Sequence, residues 1–565
     1  MLRKHLKQFS PSSLWLILLG TLVWSLTMVK SGWVYAYGMG FWGANGHDGI
    51  WHTALIESLS RGSNQIPIFA GETLKNYHLG FDLLLALLHK ITQIPVTNLY
   101  FQIIPPILAF LVGFLTYRFT LSWTKSSQKA FWATFFVYFG GSWGWMVTLF
   151  REGSWGGESM FWSQQSISSL INPPFALSLI LILTGLLLLK RLEKRIKIYE
   201  LFITILIFGS LIQVKVYAGL LVIGALFISG VYSFFINRKS YILKIWLGSF
   251  VISLLLFIPF NKNPQNSLVW QPFWFLETMM GLTDRVGWLK FYSAMTNYRM
   301  GSIWIKAVPA YLIAFGIFVV GNLGTRVIFL KQILWKFDFI KVFILSVIFF
   351  GILIPMFFLQ KGTPWNTIQF MYYSLFFSSI LAGVALSEWI KKLSVTAYYY
   401  TVALVVFLTI PTAIGTLYYV YLPSRPPAMV SKEELTALKF LSDQPQGIVL
   451  TYPFDRIKAK EAEGSPPRPL YLYESTAYVS AFAKNPVFLE DEVNLDITGY
   501  DWKTRRGEAE KFYQSLDQNF VREFLSKNNI KYIYWLKPQR ATLGETQLGI
   551  SRIFENEKVD IFKVF

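Results

Sequence analysis

Residues 1–420 form a succession of long apolar runs that are almost free of acidic side chains. This stretch contains only 12 Asp and Glu residues, and the whole chain is 53% hydrophobic and 18% aromatic. An apolar run of about 20 residues is long enough to cross a bilayer as an α-helix, and a soluble domain rarely contains many of them. The chain is therefore predicted to be a polytopic α-helical membrane protein.

Basic clusters between the apolar runs predict the orientation of the chain. They alternate with loops that are poor in Lys and Arg, so the positive-inside rule puts the N-terminus, with its cluster Arg3, Lys4 and Lys7, in the cytoplasm. The first run is followed by no small-residue cleavage site, so we expect a retained helix. About eleven transmembrane helices are predicted, at 14–29, 97–120, 130–149, 174–189, 199–214, 217–236, 245–260, 303–323, 340–359, 366–388 and 397–420.

The net charge of +20 follows from the same rule. Residues 421–565 contain 20 basic and 20 acidic side chains, so the whole excess lies in the membrane part. Membrane lipids are therefore predicted partners and nucleic acid is not. The chain has no cysteine, which excludes disulfides, a thiol nucleophile and cysteine-based zinc sites.

A Pro-rich stretch at 421–427 marks a change in composition. Residues 1–420 are predicted to be the transmembrane domain, and 421–565 a small soluble α/β domain on the extracytoplasmic side of the cell membrane. In that domain we expect helices at Glu433–Leu441 and Ala509–Ser526, strands at Gly447–Thr451 and Lys531–Trp535, and a hairpin of Ile553–Phe554 with Val559–Phe565. The first extracytoplasmic loop, 30–96, is predicted to contain an amphipathic interfacial helix at 48–60 and a second short helix at 79–91.

This first loop concentrates the polar chemistry of the membrane part. Its residues 47–82 hold three of the chain's five histidines and four of the 12 acids. Asp48 and His52 are i, i+4 neighbours on one helical face, and Asp48 could act as a base at the membrane boundary. The alternative is that Asp48 only caps the helix. Residues that could shape a polar substrate pocket are His47, His52, Glu72, Tyr77 and His78.

Cationic side chains on the predicted outer side could bind a lipid phosphate. Lys215 lies in the sequence Gln213-Val214-Lys215-Val216-Tyr217 between two apolar runs, where it must find an anion, face a cavity or extend to the interface. Arg299 and Lys361 lie in later outer loops. Snorkelling of these side chains to the interface is the alternative for each of them.

The order of these features resembles that of the GT-C superfamily of polyprenyl-phosphate-sugar-dependent glycosyltransferases. That superfamily includes protein O-mannosyltransferases, aminoarabinose transferases and oligosaccharyltransferases. The pair His47-Asp48 is similar to the acidic motif of the family's first outer loop. The stretch Tyr77–Leu88 resembles the aromatic-led helix before the second span, and the ending 530–565 resembles the family's C-terminal domain.

The resemblance implies an inverting glycosyltransferase for hexoses or pentoses. Asp48 would be its catalytic carboxylate, the donor a polyprenyl-phosphate sugar and the acceptor a glycan, lipid or protein. Lys215, Arg299 or Lys361 would stabilise the departing phosphate, and Tyr217 accompanies Lys215. No cofactor is required with certainty, although Asp48, His52 and His78 could hold a divalent metal.

Two other classes of function remain open from the sequence. A lipid or glycan transporter would use a similar number of spans, although most of the predicted spans lack an ionisable residue at their centre. A non-enzymatic assembly protein of the cell envelope would use the C-terminal domain to bind partners. A polymerase or ligase of lipid-linked glycans is a neighbouring enzymatic alternative.

Overall fold

The computed structural model describes residues 9–261, 268–334, 336–540, 543 and 549–565. The predicted basic cluster Arg3, Lys4 and Lys7 lies outside these residues. The chain forms two compact units. One, here called the membrane unit, comprises Met1–Thr27, Pro105–Pro259 and Asn263–Leu422; the other, here called the α/β unit, comprises Met28–Ile104, Phe260–Lys262 and Pro423–Phe565.

Apolar helices make up most of the membrane unit. Eight helices of the described chain are long and apolar enough to cross a membrane: Val96–Thr124, Pro173–Leu192, Val216–Asn237, Tyr241–Phe260, Trp304–Leu334, Phe339–Phe357, Pro364–Ile390 and Val395–Tyr421. Two further apolar helices are shorter, Pro11–Ser25 and Ile198–Val214. The prediction of a multi-pass helical membrane protein is confirmed, whereas the count of eleven spans is not.

The predicted run 130–149 is divided into two helices, Ser127–Phe139 and Gly144–Glu152. At the start of the second helix the backbone touches the following loop, since a Cβ atom on Gly144 would lie 1.8 Å from the carbonyl oxygen of Gly157. Shorter elements complete the unit, namely the helices Trp274–Gly281 and Leu289–Met300 and the two-stranded sheet Leu268–Trp270 with Phe358–Gln360.

Pro364–Ile390 is the central helix of the membrane unit. It is buried almost throughout its length and packs against Ser127–Phe139 and Phe339–Phe357. Small residues allow this close approach: a Cβ on Gly383 would lie 2.1 Å from the amide nitrogen of Ala133. Gly and Ser favour helix packing in membranes in this way, and they also lower the hydropathy of the most buried span.

Two four-stranded sheets form the framework of the α/β unit. The first has the order Val34–Tyr35, Gly38–Phe41, Ala428–Ser431 and Arg468–Pro469. The second has the order Ile448–Thr451, Ile530–Leu536, Val559–Val564 and Ile550–Glu555, with its first pair parallel and the others antiparallel. The two predicted buried strands and the closing hairpin are therefore confirmed.

Helices of the C-terminal part of this unit are short. They are Lys432–Ser442, Arg456–Glu461, Tyr478–Ala483, Glu492–Thr498, Trp502–Gln514 and Gln518–Lys527. The prediction of one helix at Ala509–Ser526 is wrong, because the chain breaks after Gln514 and Asp517 starts a new helix. The Asp517 carboxylate accepts hydrogen bonds from the amides of Asn519 and Phe520.

The first loop contributes two helices to the same unit, Asp48–Ser60 and Gly80–Thr92. The prediction that the first is amphipathic is wrong, since Gly49–Ser58 are all buried and the helix packs against Gly80–Thr92 and Tyr478–Ala483. A helix that is covered on all sides needs no polar face. Gly80–Thr92 is the amphipathic one, and its exposed apolar residues are Leu83, Leu84, Leu87 and Ile91.

Candidate active site

Asp48 lies at the exposed start of an otherwise buried helix. The helix begins at Asp48, His47 precedes it as the N-cap residue, and neither side chain caps the helix by a hydrogen bond. Asp48 is exposed and makes no hydrogen bond or ion pair with the residues that the structure describes. The alternative that Asp48 is only a capping residue is therefore wrong, and its carboxylate is available to a ligand.

A buried ion pair fixes the helix that carries Asp48. The Nδ1 atom of His52 lies 2.7 Å from Oδ1 of Asp82 on the helix Gly80–Thr92, and both side chains are fully buried. The His52 ring also stacks on Tyr100 with 5.6 Å between the ring centroids. His52 thus positions the helix that carries Asp48, while its inclusion among the substrate-binding residues stays a prediction.

His47 connects the start of this helix to the C-terminal part of the unit. Its Nδ1 atom lies 3.1 Å from the carbonyl oxygen of Ser475 and also contacts the Ser475 hydroxyl. Its ring meets the ring of Tyr473 edge-on at 4.7 Å. Burial lowers the pKa of His47, although the neighbouring Asp48 acts in the opposite direction. A neutral His47 can donate its Nδ1 hydrogen to the Ser475 carbonyl.

Tyr77 and His78 lie beside the same helix. The Tyr77 ring stacks on His78 at 4.6 Å and meets Trp51 edge-on at 5.5 Å. Burial, together with the charges of Asp82 and Asp48, raises the pKa of Tyr77. A neutral phenol beside Asp48 can donate a hydrogen bond to a ligand. Glu72 is exposed, and its side chain makes no hydrogen bond with the described residues.

Three consecutive acids of the C-terminal part were not singled out from the sequence. Glu490, Asp491 and Glu492 are all buried and line a small cavity that Tyr473 also lines. The charge of Asp48 contributes to raising the pKa of Asp491, to about 7, although burial is the main cause. The run of three acids was the sequence signal, but its proximity to Asp48 depends on the fold.

The predicted phosphate-binding residues Lys215, Arg299 and Lys361 belong to the membrane unit. Tyr217 connects the first of them, Lys215, to the segment that carries Lys361. Lys215 is buried between two helices, 3.2 Å from Oδ1 of Asn172 and 5.4 Å from the centre of the Tyr217 ring. The Tyr217 hydroxyl donates to Gln360, the neighbour of the exposed Lys361. Their role in binding phosphate stays a prediction.

Arg299 is engaged in a different cluster of the membrane unit. Its guanidinium lies 2.7 Å from Oε1 of Glu277, and the same carboxylate accepts a hydrogen bond from Tyr311. The positive charge of Arg299 is therefore balanced by a carboxylate, which weakens its attraction for a phosphate.

A buried carboxylate organises the loop between Gly153 and Asn172. Glu158 accepts hydrogen bonds from the Gln165 amide at 2.8 Å and from the Ser168 hydroxyl at 2.7 Å. Burial raises the pKa of Glu158 to about 7. Glu158 therefore holds part of this loop in place.

The residues present give little support to a metal centre. Among the described residues, no group of three His, Cys, Asp or Glu side chains could hold a metal ion. The Nδ1 atom of His52 is engaged by Asp82. A metal site at Asp48, His52 and His78 stays a prediction, and we assign no step of a reaction to it.

The fold is similar to that of the oligosaccharyltransferase of Archaeoglobus fulgidus. Its apo form matches with a TM-score of 0.50 and 12% identity over 93% of this chain and 69% of that one. Its complex with an inhibitory peptide and a dolichol-phosphate matches with a TM-score of 0.50 and 13% identity, over 94% and 69%. A complex of that enzyme with zinc and sulfate gives a TM-score of 0.50 at 14% identity, over 92% and 67%.

At this level of identity the likeness defines the fold. The chain has the fold of the archaeal oligosaccharyltransferase, and this confirms the fold that the resemblance implied. The sequence matches no protein-family model, and it matches no curated protein.

Proposed function

We propose that this protein is an inverting glycosyltransferase that moves a sugar from a polyprenyl-phosphate-linked donor to an extracytoplasmic acceptor, with Asp48 as the catalytic carboxylate. The fold supports this class of reaction, because a structure of the archaeal enzyme that shares it contains a dolichol-phosphate. The donor is a lipid, which suits a protein whose described residues include eight long apolar helices.

The observation that carries the proposal is the state of Asp48. Its carboxylate is exposed and free of hydrogen bonds within the described chain, while the helix behind it is buried and fixed by the His52–Asp82 pair. A catalytic group has to be held by rigid surroundings and still be accessible to substrate. Asp48 meets both conditions.

The reaction requires a base on the acceptor side. The acceptor oxygen attacks the anomeric carbon from the face opposite the phosphate, and its proton passes to Asp48. The bond between the anomeric carbon and the phosphate oxygen breaks, and its electron pair leaves with the polyprenyl phosphate. A nearby cation lowers the energy of the negative charge that develops on the leaving phosphate. Lys215 and Lys361 are the proposed cations; Arg299 is a weaker candidate because of Glu277.

Transfer of a radiolabelled sugar tests this proposal. Purified protein in lipid nanodiscs is given a panel of polyprenyl-phosphate hexoses and pentoses with membrane extract as the source of acceptor, and labelled product and released polyprenyl phosphate are measured. Asp48→Asn should lower the rate at least about 100-fold with unchanged thermal stability. Asp443→Asn, a matched change at an exposed aspartate of the same unit, should have no effect.

Full activity in a well-folded Asp48→Asn variant would remove Asp48 from the chemistry. Turnover with none of the donors by the folded wild type would favour the transporter or assembly function.

A further inference from the structure

We infer that the cavity beside His47 and Asp48 in the α/β unit binds an ammonium group of the acceptor. This inference rests on the proposed function for the identity of the ligand as an acceptor, and it names the chemistry by which that ligand is recognised. The cavity is enclosed by residues of the segments 451–454, 471–479, 489–492 and 534–539.

The charge of the cavity lining is the first observation. No Lys, Arg or His is among the described residues that line it, although the protein carries 52 Lys and Arg side chains. Four carboxylates line it instead: Glu474, Glu490, Asp491 and Glu492. A lining of one sign focuses the electric field inside a concave site and attracts a ligand of the opposite charge.

Two of these carboxylates have no cation to balance them. Glu492 is bound by Arg506, and Glu474 lies 3.4 Å from Arg456. Within the described chain, Glu490 and Asp491 form no ion pair. Glu490 accepts hydrogen bonds from two backbone amides, at 2.7 and 3.1 Å, and Asp491 accepts them from the amide and the side chain of Asn494. A buried carboxyl group without a cation is costly to ionise, and a bound ammonium group would offset that cost by stabilising the charged form.

Two buried polar atoms of the lining point to a ligand independently of the charge. Oε2 of Glu492 and the hydroxyl of Thr476 make no hydrogen bond within the described residues, and these side chains are only 3% and 5% exposed. Buried polar atoms are nearly always hydrogen-bonded in folded proteins. An ammonium group offers three N–H donors, which suit these two acceptors and the neighbouring Asp491.

Aromatic side chains complete the lining. Five tyrosines contribute to the cavity: Tyr452, Tyr471, Tyr473, Tyr478 and Tyr534. Aromatic faces attract cations through their quadrupole, and the combination of tyrosines with carboxylates is typical of ammonium-binding sites. Neutral saccharides also stack on aromatic rings, but they bring no positive charge to the carboxyl groups of Glu490 and Asp491.

The size of the cavity limits what can enter it. Its volume of about 50 Å³ admits a small polar group such as an ammonium. We therefore place only the ammonium group in the cavity and the rest of the ligand outside it. His47 contacts Tyr473, which lines the cavity, and the nearby Ser475, so the lining adjoins the segment that begins with Asp48.

Binding is tested without a donor, so that the result does not depend on turnover. Saturation-transfer NMR and calorimetry on the full-length protein in nanodiscs compare glucosamine, N-acetylglucosamine and ethanolamine. Glucosamine should bind at least tenfold more tightly than its neutral N-acetyl derivative. Ethanolamine separates the sources of the ammonium group: similar affinity indicates that a lipid head group suffices, and weaker binding indicates a glycan amine.

Variants assign the binding to this cavity. The double variant Glu490→Gln/Asp491→Asn keeps the shapes of the side chains and should lower the glucosamine affinity at least tenfold. Its matched control is Glu508→Gln/Glu523→Gln, which removes the same charge from helices outside the cavity and should bind as the wild type does.

Thr476→Val is a second test, because Glu490 also bonds backbone amides and its replacement can impair folding. Thr476→Val should retain the wild-type melting temperature and weaken glucosamine binding several-fold. Equal affinity for glucosamine and N-acetylglucosamine, or unchanged binding in both folded variants, overturns the inference. The Asp48→Asn variant distinguishes the two proposals, because it should lose sugar transfer and still bind glucosamine. Transfer thus tests the proposed function, and glucosamine binding tests the ammonium site.

Discussion

The buried pair of His52 and Asp82 offers the sharpest test of how the α/β unit positions Asp48. The perturbation is Asp82→Leu, which removes the carboxylate and leaves His52 without its partner at 2.7 Å. His52 is 1% exposed and Asp82 is fully buried, so water cannot replace the lost hydrogen bond without opening the helix pair. We expect the contact between Asp48–Ser60 and Gly80–Thr92 to be weakened.

The magnitude follows from the burial of both partners. Removing one member of a buried ion pair costs about 3–5 kcal/mol of unfolding free energy. In a cooperative unit of roughly 200 residues, this corresponds to a fall in melting temperature on the order of 10 °C. Asp82→Asn retains a hydrogen-bond acceptor and should cost only about 1–2 kcal/mol. The double variant His52→Phe/Asp82→Leu replaces the pair by apolar groups among aromatic neighbours and should recover most of the loss.

Thermal unfolding in nanodiscs, followed by tryptophan fluorescence, measures the global effect. Hydrogen exchange of peptides covering 48–60 and 80–92 measures the local one, and Asp82→Leu should increase exchange in both. If the double variant is as unstable as the sum of its single changes, the two side chains do not interact energetically. The electrostatic account of this contact is then wrong, and shape alone holds the helices together.

Two further predictions concern the same unit. Burial raises the pKa of Glu490 to about 8, so the folded state holds a proton that the unfolded chain releases near the ordinary pKa. The unfolding free energy should therefore fall by roughly 3–5 kcal/mol as the pH rises from about 4.5 to about 8, and should be level above that. The Glu490→Gln variant should flatten this part of the plot of melting temperature against pH. Arg505 lies 3.5 Å from the centre of the Phe69 ring and donates to the carbonyl oxygens of Ala70 and Phe488, both at 2.9 Å. A lysine at position 505 cannot make both hydrogen bonds and the stacking contact, so Arg505→Lys should lower the unfolding free energy by about 1–2 kcal/mol. A melting temperature equal to that of the wild type would contradict this prediction.

The sequence was informative wherever a local physical rule decides the structure. The length of an apolar run and the rise per residue of a helix determine where spans lie, and each predicted run overlaps a helix of the structure. The strand at 531–535 and the change of composition at 421–427 were also predicted from local sequence, the first from a short apolar run and the second from its prolines. The break in 130–149, next to the contact of Gly144 with Gly157, was missed because the run is apolar on both sides of it.

The helix 48–60 shows why burial is harder to predict than helicity. The predicted amphipathic helix would expose its polar residues His52 and Glu57. Both are buried and paired, His52 with Asp82 and Glu57 with Lys484 at 3.2 Å. A charged side chain can lie in a core when its partner comes from another segment, and one sequence does not show which segments meet. The assignment of Asp48 as the catalytic carboxylate stays a prediction, and the exposure of its side chain became visible only in the structure.

The structure also changes how the C-terminal part should be understood. Composition suggested a soluble domain that begins at 421, attached after the last span. Instead, Gly38–Phe41 pairs with Ala428–Ser431, and Val487 exchanges backbone hydrogen bonds with Pro67 and Ala70, at 2.7 and 2.9 Å.

These contacts join residues some 390 to 420 positions apart, so the first loop and the C-terminal part fold as one unit. The first residues of the Asp48 helix are therefore held by the C-terminal part, through His47 and Ser475. Burial and the nearby charge of Asp48 both raise the pKa of Asp491, so these two carboxyl groups lie close together. A C-terminal part that only recognised partners would not need to contact His47 or to place Asp491 near Asp48. We therefore propose that it is a component of the active site.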